Sequence, residues 1–226
     1  MTSIPFCKFH GFGNDYIVIE KGKVPANTDL PELARAICHR HTGAGADGIA
    51  VLEELHEEDA DYFCEIVNPD GSIAGFSGNG TRCAVSFLYY RHLWTDKNLR
   101  LRTRSGVKNY RLIDGETAET YWFEAEIGKP KFTSSDVPVA THEHRDSVID
   151  FPVTAVDKQF LISGVNVGNH VACVFVDEFD SGWRTFGKSL ECHEAFPEKA
   201  NIVFVRVIDR RNIEIRSWER AAGETA

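Results

Sequence analysis

Short apolar runs broken by turn residues predict a chain built of strands with few helices. Phe6 to His10 and Tyr16 to Ile19 predict two strands around the glycine turn Gly11-Phe12-Gly13-Asn14. Asp29 is placed to cap a helix, with Pro31 in its first turn and Glu32 three residues after the cap. Leu33, Ala34, Ile37 and Cys38 form its inward stripe, and Gly43 is expected to end it. Ile49 to Leu52 and Tyr62 to Val67 predict further strands, separated by an acidic connection, and Asn68-Pro69-Asp70-Gly71 reads as a β-turn. Beyond it, Ala84 to Tyr90 is apolar on nearly every helical face, which predicts a buried helix beginning at Gly78-Asn79-Gly80. Leu99 to Arg104 and Val107 to Leu112 predict a hairpin.

A polar run at 114–119 is the expected boundary between two halves, 1–119 and 120–226. In the second half strands are expected from near Tyr121, at Gln159 to Ile162 and at Ala172 to Val176. A hairpin of Ile202 to Val207 with Ile213 to Trp218 ends in Glu219-Arg220. The halves echo one another faintly, since Gly13-Asn14 and Gly168-Asn169 each turn into an apolar strand.

Among 226 residues, 25 are basic and 34 acidic, a net charge of −9 that argues against nucleic acid or an anionic membrane as partner. Hydrophobic content of 42% fits a soluble globule, and no apolar stretch is long enough to span a bilayer. The N-terminus lacks a signal-peptide pattern, so a cytoplasmic location is expected. Cys7, Cys38, Cys64, Cys83, Cys173 and Cys192 form no C-x-x-C pair and read as free thiols. Cys38-His39-Arg40-His41, His142-Glu143-His144 and Cys192-His193 lack structural zinc spacing, so no metal is expected.

Candidate chemistry centres on the start of the second helix. A helix N-terminus presents unsatisfied N–H groups and the positive end of its dipole, and Ser77 lies at that focus. Gly43-Ala44-Gly45-Ala46-Asp47-Gly48 has the G-x-G-x-x-G spacing of a dinucleotide loop. Its context is reversed, with a helix before and a strand after, so a tight helix-to-strand turn is the expected structure. His10, beside a glycine turn, is expected to make a structural hydrogen bond. Asn14, Asn68, Asn169 and Asn201 all fall beside turns or strand ends, where local turn chemistry is the usual role. With Arg220 they are also candidates to line one cavity for a small zwitterion bearing more than one carboxylate.

Taken in order and at these intervals, His10 to Asp15, Gly43 to Gly48, Asn68 to Ser72, Gly78 to Cys83, Gly168-Asn169, Phe196-Pro197-Glu198 with Asn201, and Trp218-Glu219-Arg220 with Gly223-Glu224-Thr225 resemble the diaminopimelate epimerase family along the whole chain. That resemblance implies an α+β fold of two pseudo-symmetric domains, each a mixed, mainly antiparallel sheet wrapped on a central helix and closing over substrate. It implies inversion of one α-carbon of diaminopimelate without a cofactor, a step toward lysine and peptidoglycan, in a homodimer. Two cysteines, one on each face of the α-carbon, would exchange the proton.

By position the resemblance assigns Gly78 and Asn79 to the reacting end of the substrate. Asn68, Asn169, Asn201 and Arg220 would hold the distal end, Glu219 an amino group, and Asn14 would line the same pocket. The departures are as informative. Ser77 stands where the family has its first catalytic cysteine, and a hydroxyl is a far weaker acid than a thiol. His170 directly follows Asn169, one position from the family's histidine, and Ala221 replaces a glycine. The second cysteine and a second central helix are expected beyond Ala226, leaving apolar sheet surface uncovered. Two rival readings remain: a one-base isomerase in which Ser77 only relays a proton, and a non-catalytic protein that keeps the ligand pocket.

Overall fold

The computed structural model describes residues 3–114, 120–137, 139–141, 143–220 and 223–225. The chain divides into two units, Met1–Gly128 and Lys129–Ala226.

The first unit opens with the antiparallel pair β1 (Cys7–Gly11) and β2 (Asn14–Glu20). Helix α1 (Leu30–Ile37) follows, capped by the Asp29 carboxylate, which accepts from the Glu32 amide at 2.9 Å. It ends at Ile37, six residues before the expected stop. Gly43 instead lies in the loop behind it, where a Cβ would strike the backbone carbonyls of Ala36 and Ile37. Strand β3 (Gly48–Glu54) is parallel to β2, and β4 (Tyr62–Val67) is antiparallel to β3 and carries the short β5 (Ile73–Ala74). Helix α2 (Gly78–Tyr90) is followed by β6 (Asn98–Thr103), β7 (Gly106–Asp114) and β8 (Trp122–Glu126). The sheet runs in the order β1-β2-β3-β4-β6-β7-β8, with β5 on β4.

Both faces of β2 and β3 are covered, which explains why these strands are apolar almost throughout. Tyr16, Val18, Ala50, Leu52, Cys64 and Ile66 pack with Cys83, Ala84, Phe87 and Leu88 of α2. Ile17, Ile19, Ile49 and Val51 pack under Leu30, Ala34 and Cys38 on the α1 side. The buried helix expected from Ala84 to Tyr90 is therefore the element on which the sheet is wrapped.

The boundary expected at 119/120 shifts. The polar run at 114–119 lies almost wholly outside the described residues, and β8 beyond it pairs with β7, so this segment still belongs to the first sheet. Polar residues between two strands that pair with one another are as readily found within a sheet as at a domain boundary.

The second unit contains β9 (Phe151–Ala155), β10 (Lys158–Asn166), β11 (His170–Phe175), α3 (Trp183–Glu191), β12 (Asn201–Val207), β13 (Ile213–Glu219) and β14 (Gly223–Thr225). They form a sheet in the order β14-β13-β12-β11-β10-β9. One face packs Phe160, Ile162, Ala172, Val174, Ile202 and Phe204 against Trp183 and Leu190 of α3. On the other face, in the cross-strand row Leu161-Phe175-Val205-Ile215, Val205 is buried while Leu161, Phe175 and Ile215 are each more than half exposed. Ala221 lies outside the described residues.

The two units share a connection pattern. β1-β2 and β10-β11 are antiparallel hairpins, β2-β3 and β11-β12 are parallel pairs joined across a helix, and β3-β4 and β12-β13 are antiparallel. The faint echo of Gly13-Asn14 in Gly168-Asn169 falls on equivalent hairpin turns, with φ of 86° and 95° at the glycines. That conformation favours glycine. In this pattern α3 corresponds to α1; the described residues of the second unit contain no counterpart of α2.

Among the described residues no helix is long and apolar enough to cross a membrane.

Candidate active site

In the first unit, topology brings separated residues to one end of the sheet. Because β2 and β3 run parallel with Tyr16 opposite Gly48, and β4 returns with Val67 opposite Ile49, Asn14, Asp47 and Asn68 lie at neighbouring strand ends. Asn14 is 3% exposed. Its Nδ2 donates to Asp47 Oδ2 at 3.2 Å, while its Oδ1 is buried with no hydrogen-bond partner among the described residues. The Asp15 amide donates to Asp47 Oδ2 at 3.0 Å and the Asp47 amide returns a bond to Asp15 Oδ1 at 3.1 Å. Arg40 bridges both carboxylates, at 2.8 Å and 2.6 Å, and Lys8 pairs with Asp15 at 2.8 Å. Burial pushes the Asp15 carboxyl up, but the bonds from Arg40, Lys8 and Asp47 outweigh it and hold it well below the ordinary carboxylate range.

The G-x-G-x-x-G run therefore performs a structural task, carrying Asp47 from the loop after α1 into the start of β3. His10 likewise has the expected bond, Nδ1 accepting from the Gly13 amide at 3.4 Å. Asn68 donates to Ser72 Oγ at 2.9 Å within its own turn.

Ser77 is the N-cap of α2. Its Oγ accepts from the Gly80 amide at 3.1 Å and lies 3.0 Å from the Tyr16 hydroxyl, and its carbonyl accepts from the Thr81 amide at 2.9 Å. The Gly78 and Asn79 amides are left without an intrahelical acceptor. A Cβ on Gly78 would meet nothing within 4 Å, so there is room beside this residue. The Asn79 side chain is held back by Arg82, which donates to its Oδ1. Two amides without intrahelical partners at the positive end of a thirteen-residue helix, with a hydroxyl beside them, are suited to a carboxylate. Cys83, one turn further on, is buried and its thiol is pushed up to about 12 by desolvation, so it offers no thiolate here.

As the N-cap, Ser77 is also a stability element. Ser77→Ala is expected to cost about 1 kcal/mol, read as a lower urea midpoint at unchanged slope.

The second unit repeats this gathering at the equivalent sheet end. β11 and β12 run parallel with Val171 opposite Asn201, and β13 returns with Trp218 opposite Ile202, so Asn169, His170, Asn201, Glu219 and Arg220 collect there. Buried Asn201 accepts the Arg220 amide on Oδ1 at 2.8 Å. The Arg220 guanidinium donates to the Glu198 carbonyl at 2.9 Å, and Glu219 Oε1 accepts from Thr225 at 2.9 Å. Asn169 Oδ1 accepts from the His170 amide at 3.0 Å.

Desolvation pushes the His170 imidazole below its ordinary value, opposed by Glu198 and reinforced by the Arg220 charge. Arg220→Gln removes that charge, so the His170 midpoint is expected to rise, followed by NMR of the imidazole protons. An unmoved midpoint would show that the guanidinium does not act on this ring.

The nine sequence candidates thus fall into two sets: Asn14, Asn68, Ser77, Gly78 and Asn79 in the first unit, and Asn169, Asn201, Glu219 and Arg220 in the second. Tyr16 and Asp47 were not among the candidates, though both bond directly to residues that were. Tyr16 is masked in the sequence as one apolar position of a buried strand, and Asp47 as one letter of a glycine-rich turn.

A family model described as "Diaminopimelate epimerase" matches residues 6–133. The diaminopimelate epimerase of Pelotomaculum thermopropionicum is 36% identical over 222 residues, covering 97% of this chain and 78% of its own length. That of Caldanaerobacter subterraneus subsp. tengcongensis is 37% identical over 221 residues with the same coverage. Among solved structures, a probable proline racemase from Agrobacterium radiobacter superposes with a TM-score of 0.71 at 17% identity, covering 98% of this chain and 72% of that one. A hydroxyproline epimerase from Agrobacterium vitis gives 0.69 at 16% identity, over 97% of this chain and 71% of that one, so the fold is shared.

Proposed function

Since the chain belongs to the diaminopimelate epimerase family, we propose that it is a cytoplasmic isomerase that epimerises L,L-diaminopimelate to the meso form. The observation that supports this reading is the start of α2, where the Gly78 and Asn79 amides lack intrahelical partners and the Ser77 hydroxyl caps the same turn.

The chemical difficulty is the weak acidity of an amino-acid α-proton. Fixed amides aimed at the α-carboxylate stabilise the charge that develops there as the proton leaves, without reorganisation in the transition state. Gly78 and Asn79 supply those amides, and Ser77 stands at the reacting face. The buried, unpartnered Oδ1 of Asn14 suits an ammonium donor. In the second unit, Arg220 with Asn169 and Asn201 suits a carboxylate, and Glu219 suits an ammonium. A cation flanked by neutral amides is the composition that a second carboxylate selects over a monocarboxylic amino acid.

Incubation with L,L- and meso-diaminopimelate in deuterated water tests this. Loss of the α-proton signal with interconversion of the isomers is the expected result. No exchange, with ligand still raising the melting temperature, would replace this reading by that of a binding protein.

A further inference from the structure

The Ser77 hydroxyl is held from two sides. The Gly80 amide donates to it at 3.1 Å, and the Tyr16 phenol lies 3.0 Å away. What delivers Tyr16 to that spot is a slot made by two glycines from distant motifs. A Cβ on Gly48 would lie 2.6 Å from Tyr16 Cε1, and one on Gly80 2.8 Å from the same atom. Neither glycine has a positive φ, so space for this ring, not backbone freedom, is what they provide. Ser77 is also gripped through its carbonyl, which accepts from Thr81 Oγ1 at 2.6 Å, and Thr81 in turn accepts from the buried Tyr110 hydroxyl at 2.6 Å.

A serine hydroxyl has one proton and two acceptor positions, and the Gly80 amide fills one. Between the two hydroxyls in contact, the phenol is the stronger donor. We propose that Tyr16 donates to Ser77 Oγ, which fills its second acceptor position and leaves Ser77 only a donor, its proton directed out beside the Gly78 and Asn79 amides. Ser77 then completes a three-donor seat for a carboxylate. Tyr16 is a positioning residue, acting through residue 77. The ligand half of this inference rests on the proposed epimerisation; the hydrogen bond does not.

A thiol at position 77 reports the bond directly. In full-length Ser77→Cys, iodoacetamide alkylation of that residue is followed against pH by peptide-resolved mass spectrometry, with and without Tyr16→Phe. Donation favours thiolate, so removing the phenol hydroxyl is expected to raise the alkylation midpoint by about one pH unit. Tyr110→Phe, which deletes a buried hydroxyl that reaches residue 77 only through Thr81, is expected to leave it in place. Equal midpoints with and without the Tyr16 hydroxyl overturn the proposal. In the Ser77 protein, Tyr16→Phe is expected to weaken diaminopimelate binding about fivefold by calorimetry, and unchanged affinity would overturn the donor seat. A midpoint shift in a protein that binds no diaminopimelate at all would support the Tyr16 bond and count against the epimerase reading.

Discussion

Ser77→Cys is expected to raise the rate of α-proton exchange on diaminopimelate by two orders of magnitude or more. The residue caps α2, so a thiolate there would face the Gly80 amide and the free Gly78 and Asn79 amides at the positive helix end. A helix N-terminus lowers a thiol from about 8.5 into the range of roughly 3.5 to 7.5, where thiol and thiolate are both available near neutral pH. A serine has no comparable anion, and its cap bond to Gly80 uses a lone pair that a base would need. Positioned acid–base groups contribute about 10²–10⁴ in rate, which sets the size of the expected gain. Proton NMR in deuterated water measures it. A variant that binds ligand as tightly as the parent and exchanges no faster would place residue 77 away from the reacting carbon.

Asp15→Asn is expected to destabilise the protein by about 2–3 kcal/mol at pH 7, since it removes one charge from a cluster held by Arg40, Lys8 and the Asp47 amide. Partial exposure of Arg40 keeps the figure below that of a fully buried pair. The sign of the pH dependence follows from the folded carboxyl titrating lower than the unfolded one. Its stabilisation is complete above the ordinary carboxylate range and is lost as pH falls through it toward the folded value. The gap between parent and variant in urea unfolding should therefore be widest near neutrality and shrink below about pH 4. A gap that stays constant down to pH 3 would mean that the cost is one of packing.

Local signals identified the elements whose stabilising chemistry is itself local. Asp29 with Glu32 announced α1, and the apolar run after Gly80 announced α2. Strand β9 and helix α3 carry no such local signal. β9 contains Pro152, and α3 has no side-chain cap, an internal Gly187 and a mostly polar sequence. Gly187 is explained only by Trp218 of β13, whose side chain occupies the place a Cβ would need. At the candidate site, Ser77 and the glycines after it were legible because a helix start leaves a compositional mark. The company of Asn14, Asp47 and Asn68 was not, because it depends on a parallel pairing of strands more than thirty residues apart in sequence. Tyr16 was hidden by its own good fit to a strand.

That parallel pairing also sets a timetable for folding. A hairpin such as β1-β2 can form from neighbouring residues, whereas β2 can meet β3, and β11 can meet β12, only after an intervening crossover has closed. The residues gathered at each sheet end are thus among the last to meet as their unit folds. A ligand held there recognises only the finished unit and stabilises it by mass action. Its kinetic signature should be slower unfolding with an unchanged rate of folding, since the contacts it makes are absent from the transition state.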